Sequence, residues 1–240
     1  VVGLGVVAVA LAGALVSYGV VARPAASPGK PFPWRGPLDT LRDLAGLRAD
    51  PPLALTATAS VFIWFLGSLE VLLLNPLGLR QSGLSSTATS ALIATQLVGI
   101  AVGGVGSSRV AKGPRWHRVL LPAGLPMAAA LLLFPLAPLL PASAGRVALF
   151  GLTGFVGLAG GFFLIPVESF IQVRPPADRK GATLAAVNFA CFAGMLVSGL
   201  VSNALNATYR PTTSLGLLGA LTVPAVLALA RAYRKQEGVA

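Results

Sequence analysis

The sequence has few charged residues: Asp, Glu, Lys and Arg together make up 10% of its 240 residues. Soluble domains carry about 25%. Hydrophobic residues make up 55% of the chain, and the mean hydropathy is +0.81. A water-soluble fold of this length would leave too much apolar surface in contact with water, whereas lipid solvates the outside of a membrane bundle. The composition therefore excludes an ordinary soluble domain and predicts an integral membrane protein.

Cysteine and histidine are almost absent, since Cys191 and His117 are the only examples. One cysteine cannot form an intramolecular disulfide, and these two residues cannot assemble a Cys/His metal cluster. The sequence also lacks the glycine-rich loop followed by Lys-Ser or Lys-Thr with which P-loop ATPases hold phosphates. No pair of acidic residues is arranged for hydrolysis. We therefore predict a protein that is not an enzyme and that uses no cofactor and no metal.

Acidic residues are scarce relative to basic ones, with seven Asp and Glu against 18 Lys and Arg. The resulting net charge of +11 would suggest a nucleic-acid partner in a soluble protein. Here the basic residues lie between apolar runs, and aromatic residues do not interleave with them. Because cytoplasmic loops of membrane proteins are rich in Lys and Arg, we interpret the charge as topological and predict no nucleic-acid partner.

Long apolar runs dominate the rest of the chain. A helix needs about 20 apolar residues to cross the hydrocarbon core of a bilayer. The predicted spans are Val1–Ala22, Leu53–Leu77, Ser86–Gly106, Val119–Ala137, Arg146–Ile171, Ala182–Leu205 and Thr213–Ala230. The first gap contains several prolines and then a predicted amphipathic helix, Leu38–Arg48, whose four leucines share one face. These patterns predict an all-α integral membrane protein with seven transmembrane helices.

The basic residues alternate between the two sides of this predicted topology. Fifteen of the 18 Lys and Arg lie in the first, third and fifth gaps and in the C-terminal tail. The remaining three, Arg80, Arg146 and Arg210, lie in the other gaps. By the positive-inside rule, the proline-containing gap and the C-terminus are cytoplasmic.

One helix, a long connector and six further helices are what remains when a twelve-helix transporter is cut before its sixth helix. We therefore predict three parts: residues 1–22 as the last transmembrane helix of a truncated N-terminal half, residues 23–52 as a cytoplasmic linker, and residues 53–240 as a six-helix C-terminal bundle. The chain begins inside an apolar run without an initiator Met, which favours the interpretation as a fragment.

Three stretches resemble a known family. They are Ser60-Val-Phe-Ile-Trp-Phe-Leu-Gly-Ser68, Gly160-Gly-Phe-Phe-Leu-Ile-Pro166 with Gln172, and Arg174-Pro-Pro-Ala-Asp-Arg-Lys-Gly181 followed by Asn188. Together they resemble the lysophospholipid transporter family of the major facilitator superfamily, including its versions fused to a glycerolipid acyltransferase. The resemblance extends from about Leu38 to the C-terminus. Two features depart from the pattern: Phe189 stands where fusion relatives often have a second asparagine, and the stretch Gly106–Arg115 is a degenerate loop signature without an acidic partner.

The resemblance implies a function. Members of that family move lysophospholipids such as lyso-phosphatidylethanolamine across a bacterial-type inner (plasma) membrane for re-acylation, by alternating access of two six-helix halves. The implied partners are a lysophospholipid or another amphipathic small molecule, membrane lipid, the missing N-terminal half and an acyltransferase domain. Two alternatives stay open: a drug or metabolite exporter of the same fold, and a membrane anchor for a fused acyltransferase that transports nothing.

Three polar residues inside the spans are candidate substrate-binding residues. Glu70 is the first, because an ionised side chain within a span is costly unless it faces a cavity or a partner; an interfacial role near the end of the span is equally compatible. Asn188 begins a polar stripe on the sixth span, which would line a translocation path or a helix contact. Gln96, in the third span, is the weakest of the three.

Five residues at the predicted cytoplasmic ends of the spans are candidates for a gate or a loop contact: Arg109, Glu168, Gln172, Arg174 and Arg179. Glu168 would pair with Arg174 or Arg179 when an inner gate closes, and the alternative is an ordinary surface ion pair. In addition, four glycines form one face of the fifth span, where they would allow close helix approach: Gly151, Gly154, Gly157 and Gly161.

Overall fold

The computed structural model describes residues 2–21 and 35–237, which are helical with short connections and, within these ranges, contain no strand. Eight α-helices follow one another: α1 (Val2–Ser17), α2 (Gly36–Gly46), α3 (Pro51–Pro76), α4 (Ser86–Val110), α5 (Leu120–Leu133), α6 (Ala142–Val173), α7 (Lys180–Thr208) and α8 (Pro211–Glu237). The chain divides between Arg35 and Gly36 into two compact units, and α2 to α8 belong to the second unit.

Six segments of the second unit are long and apolar enough to cross a bilayer. They are Pro51–Gln81, Ser86–Val110, Trp116–Leu139, Ala142–Val173, Lys180–Thr208 and Pro211–Gln236. Each overlaps one of the last six predicted spans, so these predictions are confirmed as apolar helices of spanning length. This is the pattern of a multi-pass membrane protein.

The first predicted span, Val1–Ala22, is shorter in the structure than in the prediction. Its helix, α1, has 16 residues. At 1.5 Å per residue it is about 24 Å long, whereas the hydrocarbon core is about 30 Å thick. Among the described residues the structure therefore supports six spans of full length where the sequence predicted seven.

The helix boundaries follow from local sequence signals. Asp50 caps the start of α3, since its Oδ1 accepts a hydrogen bond from the backbone N–H of Leu53 at 3.3 Å, and two prolines occupy the first turn. Ser85 caps α4 in the same way. After Pro76 a π-helical turn, Leu77–Gln81, extends α3 beyond the predicted end.

The predicted amphipathic helix is confirmed as α2, followed by a 3₁₀ turn over Leu47–Ala49. Leu47 is buried, whereas Leu38 and Leu41 are exposed. This helix packs against α7 and belongs to the same unit as the spans. Of the predicted linker, residues 23–34 lie outside the described part of the chain, as do residues 1 and 22 of the preceding predicted helix.

Within the bundle the helices pack closely in pairs, α4 with α6, α5 with α8, and α3 with α7. The contact between α4 and α6 is made on backbone. A methyl group on Gly161 would lie 2.8 Å from the backbone N of Gly104, and one on Gly99 would lie 2.8 Å from that of Leu158. Glycine at these positions lets the two helices approach more closely than side chains would allow.

The predicted glycine face of α6 is confirmed in part. Gly157 and Gly161 both meet backbone atoms of α4. Gly154 faces the side chain of Thr95, whose Cγ2 would lie 3.1 Å from a methyl group added to this glycine, whereas Gly151 has open space beside it. Two residues of this face therefore hold the contact, and glycines of α4 that were not predicted to take part complete it.

We predict that Gly161→Ala lowers the free energy of unfolding by about 1–3 kcal/mol, because the added methyl group overlaps backbone that cannot move aside. Gly151→Ala is the matched control on the same helix. It removes the flexibility of glycine without a clash, so it leaves stability unchanged or raises it by up to about 1 kcal/mol. Equilibrium unfolding in mixed micelles, followed by circular dichroism, measures both. Equal effects of the two substitutions would show that the α4–α6 contact is looser than the structure indicates.

Candidate functional site

A cavity of about 360 Å³ lies in the groove between the pair α3–α7 and the pair α4–α6. Its walls are mainly aliphatic and glycine, with Leu66, Ile100 and Val156 among them. Polar groups interrupt this lining at a few positions, notably Glu70 and Gln96. An apolar cavity with a few converging polar groups is the usual form of a small-molecule site.

Glu70 and Gln96 form a buried pair between α3 and α4. Each side chain is 2% exposed, and Gln96 Nε2 donates a hydrogen bond of 2.6 Å to Glu70 Oε2. The Oε1 atoms of both residues are buried and accept no hydrogen bond within the described part of the chain. Since buried polar atoms are normally paired, these two acceptors at the cavity are suited to a hydrogen-bond donor. The structure thus brings two of the three predicted substrate-binding residues together.

Asn188, the third predicted residue, is exposed on α7 and does not line the cavity. Further along the same polar stripe, Ser198 is buried, and its Oγ forms a hydrogen bond of 3.0 Å with Ser68 Oγ on α3. This part of the stripe makes a helix contact, as one of the two interpretations of the sequence held. A role for Asn188 in substrate binding stays a prediction.

Glu168 is the centre of a second polar cluster, which connects three helices. Its Oε1 accepts hydrogen bonds from Ser60 Oγ at 2.6 Å and from Trp64 Nε1 at 3.0 Å, both on α3. Ser60 Oγ is also 3.3 Å from the sulfur of Cys191 on α7. Ser60 and Trp64 are four residues apart and therefore share one face of α3.

The contacts of Ser60 and Trp64 with Glu168 were not predicted from the sequence, although both residues belong to a stretch that carries the family resemblance. Their four-residue spacing was an available signal. What it did not indicate was the partner, because Glu168 follows Trp64 by 104 residues and the two meet only through helix packing.

Two of the three predicted gate arginines make ion pairs, one with the residue that caps α3 and one with a residue of α2. Arg174 forms a bidentate pair with Asp50, with Nε–Oδ2 at 2.9 Å and Nη2–Oδ1 at 3.3 Å. Hydrogen bonding to the Asp50 carboxylate, together with its charge, raises the pKa of the Arg174 guanidinium above its ordinary value. Arg179 Nη2 lies 3.9 Å from Asp43 Oδ1. In this structure Glu168 is bonded to α3 instead, so its pairing with an arginine on gate closure stays a prediction.

The two remaining gate candidates, Arg109 and Gln172, are exposed near the C-terminal ends of α4 and α6. In an up-and-down bundle these ends lie on the side where α3 and α7 begin. Neither residue lines the cavity. Their positions are compatible with loop contacts.

Comparison of the chain with protein-family models, with curated proteins and with solved structures gives no match. The resemblance to lysophospholipid transporters therefore stands as a hypothesis, and the function has to be argued from the cavity and its polar groups. Among the described residues, no group of three or more His, Cys, Asp and Glu could hold a metal ion.

We predict that Gln96→Leu lowers the free energy of unfolding by about 1–3 kcal/mol, because it leaves the buried Glu70 carboxyl without its donor. Replacing both members, as Glu70→Leu with Gln96→Leu, recovers most of this loss, since no polar group is then left unpaired. Ser90→Ala, an exposed substitution on α4, is the control. If Gln96→Leu were no more destabilising than Ser90→Ala, the pair would not contribute to the stability of the bundle.

Asp50 has two separable roles, as the cap of α3 and as the partner of Arg174. We predict that Asp50→Ala destabilises the bundle by about 1–2 kcal/mol, since it loses the cap, worth about 1 kcal/mol, and an exposed ion pair worth less than about 1 kcal/mol. Asp50→Ser keeps a capping oxygen and loses only the pair. Chemical unfolding of both variants measures the difference, and equal losses would contradict the capping role.

Proposed function

We propose that this chain is part of a facilitator-type membrane transporter that moves lysophospholipids across a bacterial-type inner membrane by alternating access. The observation that carries the proposal is the buried Glu70–Gln96 pair, which lies in the wall of a mainly apolar cavity between helices of membrane-spanning length. The sequence resemblance supports the choice of lysophospholipid as substrate. The C-terminus is cytoplasmic in this proposal, as the distribution of Lys and Arg indicates.

An amphipathic substrate suits the character of this cavity. Its apolar walls would accept part of an acyl chain, and the unpaired Oε1 atoms of Glu70 and Gln96 would accept hydrogen bonds from a polar group. The cavity, at about 360 Å³, holds only part of a lysophospholipid. The remainder of the acyl chain would extend between the helices towards lipid, where its apolar surface is not exposed to water.

The groove would be completed by a second six-helix half. In transporters built from two halves, the substrate binds between them near the middle of the membrane, and the halves rock about the site. Counted from Pro51 at 1.5 Å per residue, Glu70 lies about 29 Å along α3, beyond the middle of the span. The path to Glu70 and Gln96 would then be shorter from the side of the membrane opposite to the start of α3.

A drug or metabolite exporter of the same fold is the second candidate. The cavity volume favours it, because about 300–1,000 Å³ is the usual range for drug-sized ligands and the cavity lies within that range. A membrane anchor without transport is less compatible with the site. Such an anchor has no use for a buried carboxyl group inside a span, which is costly to maintain there.

We predict that inner-membrane vesicles carrying the full-length protein take up labelled lyso-phosphatidylethanolamine, and that Glu70→Gln reduces uptake at least about tenfold, which corresponds to about 1.4 kcal/mol. The physical reason is the loss of the carboxyl group from the cavity while the amide keeps nearly the same shape. Thr58→Ala, an exposed substitution on α3, is the control for insertion and expression.

The outcomes separate the candidates. Uptake unaffected by Glu70→Gln would leave the lipid assignment in place and reduce Glu70 to a structural role. Absence of uptake by the correctly inserted wild-type protein would refute lysophospholipid transport, and transport of a drug with a proton flux would then support the exporter.

A further inference from the structure

The charges of the six spans are strongly segregated. Glu70 and Glu168 are the only acidic residues within them: Glu70 lines the groove between the helix pairs, and Glu168 accepts a hydrogen bond from Trp64, which lines the same groove. Every basic residue of the spans lies within six residues of a helix end. The described groove therefore has one carboxyl group in its lining, a second beside it, and no cation of its own. A positively charged ligand group would be stabilised there.

Glu168 is arranged to receive such a group. Its Oε1 is occupied by the hydrogen bonds from Ser60 and Trp64, which fix the orientation of the carboxylate. Its Oε2 accepts no hydrogen bond from the described residues, and it is not among their buried unpaired atoms. One oxygen thus anchors the side chain to α3, and the other remains accessible.

Trp64 adds an aromatic surface beside this carboxylate. The residue lines the cavity and is 40% exposed, although its only polar side-chain atom, Nε1, donates to Glu168. The exposed part of the side chain is therefore the carbon surface of the indole. Tryptophan is the aromatic residue that binds cations best through its ring face, and the pairing of an aromatic ring with a carboxylate is suited to an organic ammonium group.

We propose that Trp64 and Glu168 form a binding site for an organic ammonium group. This inference deepens the proposed transport function and rests on it for the nature of the substrate: the ammonium is the charged end of the transported amphiphile. An ethanolamine-bearing lysophospholipid has this chemistry, and so does a cationic drug. Trp64 precedes Glu70 by six residues, about 9 Å along α3, so the two polar positions lie along the same cavity.

The site predicts selectivity between lipids that differ only in the head group. The full-length protein, reconstituted in nanodiscs, is tested for equilibrium binding of labelled lyso-phosphatidylethanolamine and of lyso-phosphatidylglycerol, which has no amine. Tetraethylammonium, a cation without an acyl chain, is the third probe. We expect Glu168→Gln, which keeps the hydrogen-bond acceptor and loses the charge, to raise the Kd for the ethanolamine lipid about tenfold and for the glycerol lipid less than about twofold.

Substitutions of the tryptophan test the aromatic contribution. We expect Trp64→Leu to raise the Kd for the ethanolamine lipid about fivefold, and Trp64→Phe, which keeps a ring, to raise it less. Phe155→Leu is the matched control, because Phe155 is an exposed aromatic residue of α6 that does not line the cavity. A monodisperse elution profile for every variant establishes that it is folded.

The probes distinguish failure of this inference from failure of the transport proposal. If the wild-type protein binds both lipids and Glu168→Gln raises the two Kd values equally, the ammonium site is overturned and the proposal of lipid transport is retained. A second outcome is that the wild-type protein binds tetraethylammonium, that Glu168→Gln abolishes this binding, and that neither lipid binds. This outcome would support the site and refute the lipid substrate in favour of a cationic drug. Absence of binding of all three probes to the wild-type protein would overturn both.

Discussion

The backbone contact between α4 and α6 determines both the packing of the bundle and the position of its polar cavity. Gly157 on α6 lies against the backbone of Gln96, so a side chain at this glycine would displace the residue whose amide holds Glu70. The same contact defines one wall of the groove, and the pair α3–α7 forms the other. A glycine on α6 thus determines the position of a polar cavity residue on α4, and a substitution that changes the packing also changes the cavity.

Polar groups across the groove connect the two walls in a complementary way. Glu168 links α6 to α3 through Ser60 and Trp64, and Gln96 links α4 to Glu70 on α3. Each link crosses from one helix pair to the other. In a low-dielectric environment such bonds stabilise one relative position of the pairs. A transporter that alternates between two states would have to exchange them for other partners, and the charged group of a substrate is one such partner.

The sequence allowed the spans to be predicted because hydropathy and charge report on the solvent around each segment. The last six spans were predicted from these properties, and the amphipathic helix α2 was predicted from the spacing of its leucines. Glu70 and Gln96 were identified singly, by their polarity inside apolar runs. Their pairing, and that of Glu168 with Trp64, depends on how each helix is rotated about its axis, which hydropathy does not encode. The first predicted span was also not supported as a helix of spanning length, because an apolar composition does not determine where a helix ends.

The glycines at the α4–α6 contact recur at intervals of four residues, Gly99 and Gly103 on one helix and Gly157 and Gly161 on the other. This spacing is close to one helical turn. Interfaces built from interlocking side chains resist displacement, because rotamers must change before the surfaces can pass each other. The smooth glycine contact removes that source of friction along the helix axes while it still resists separation. The glycine contact would therefore oppose separation of α4 and α6 more strongly than a small displacement along their axes.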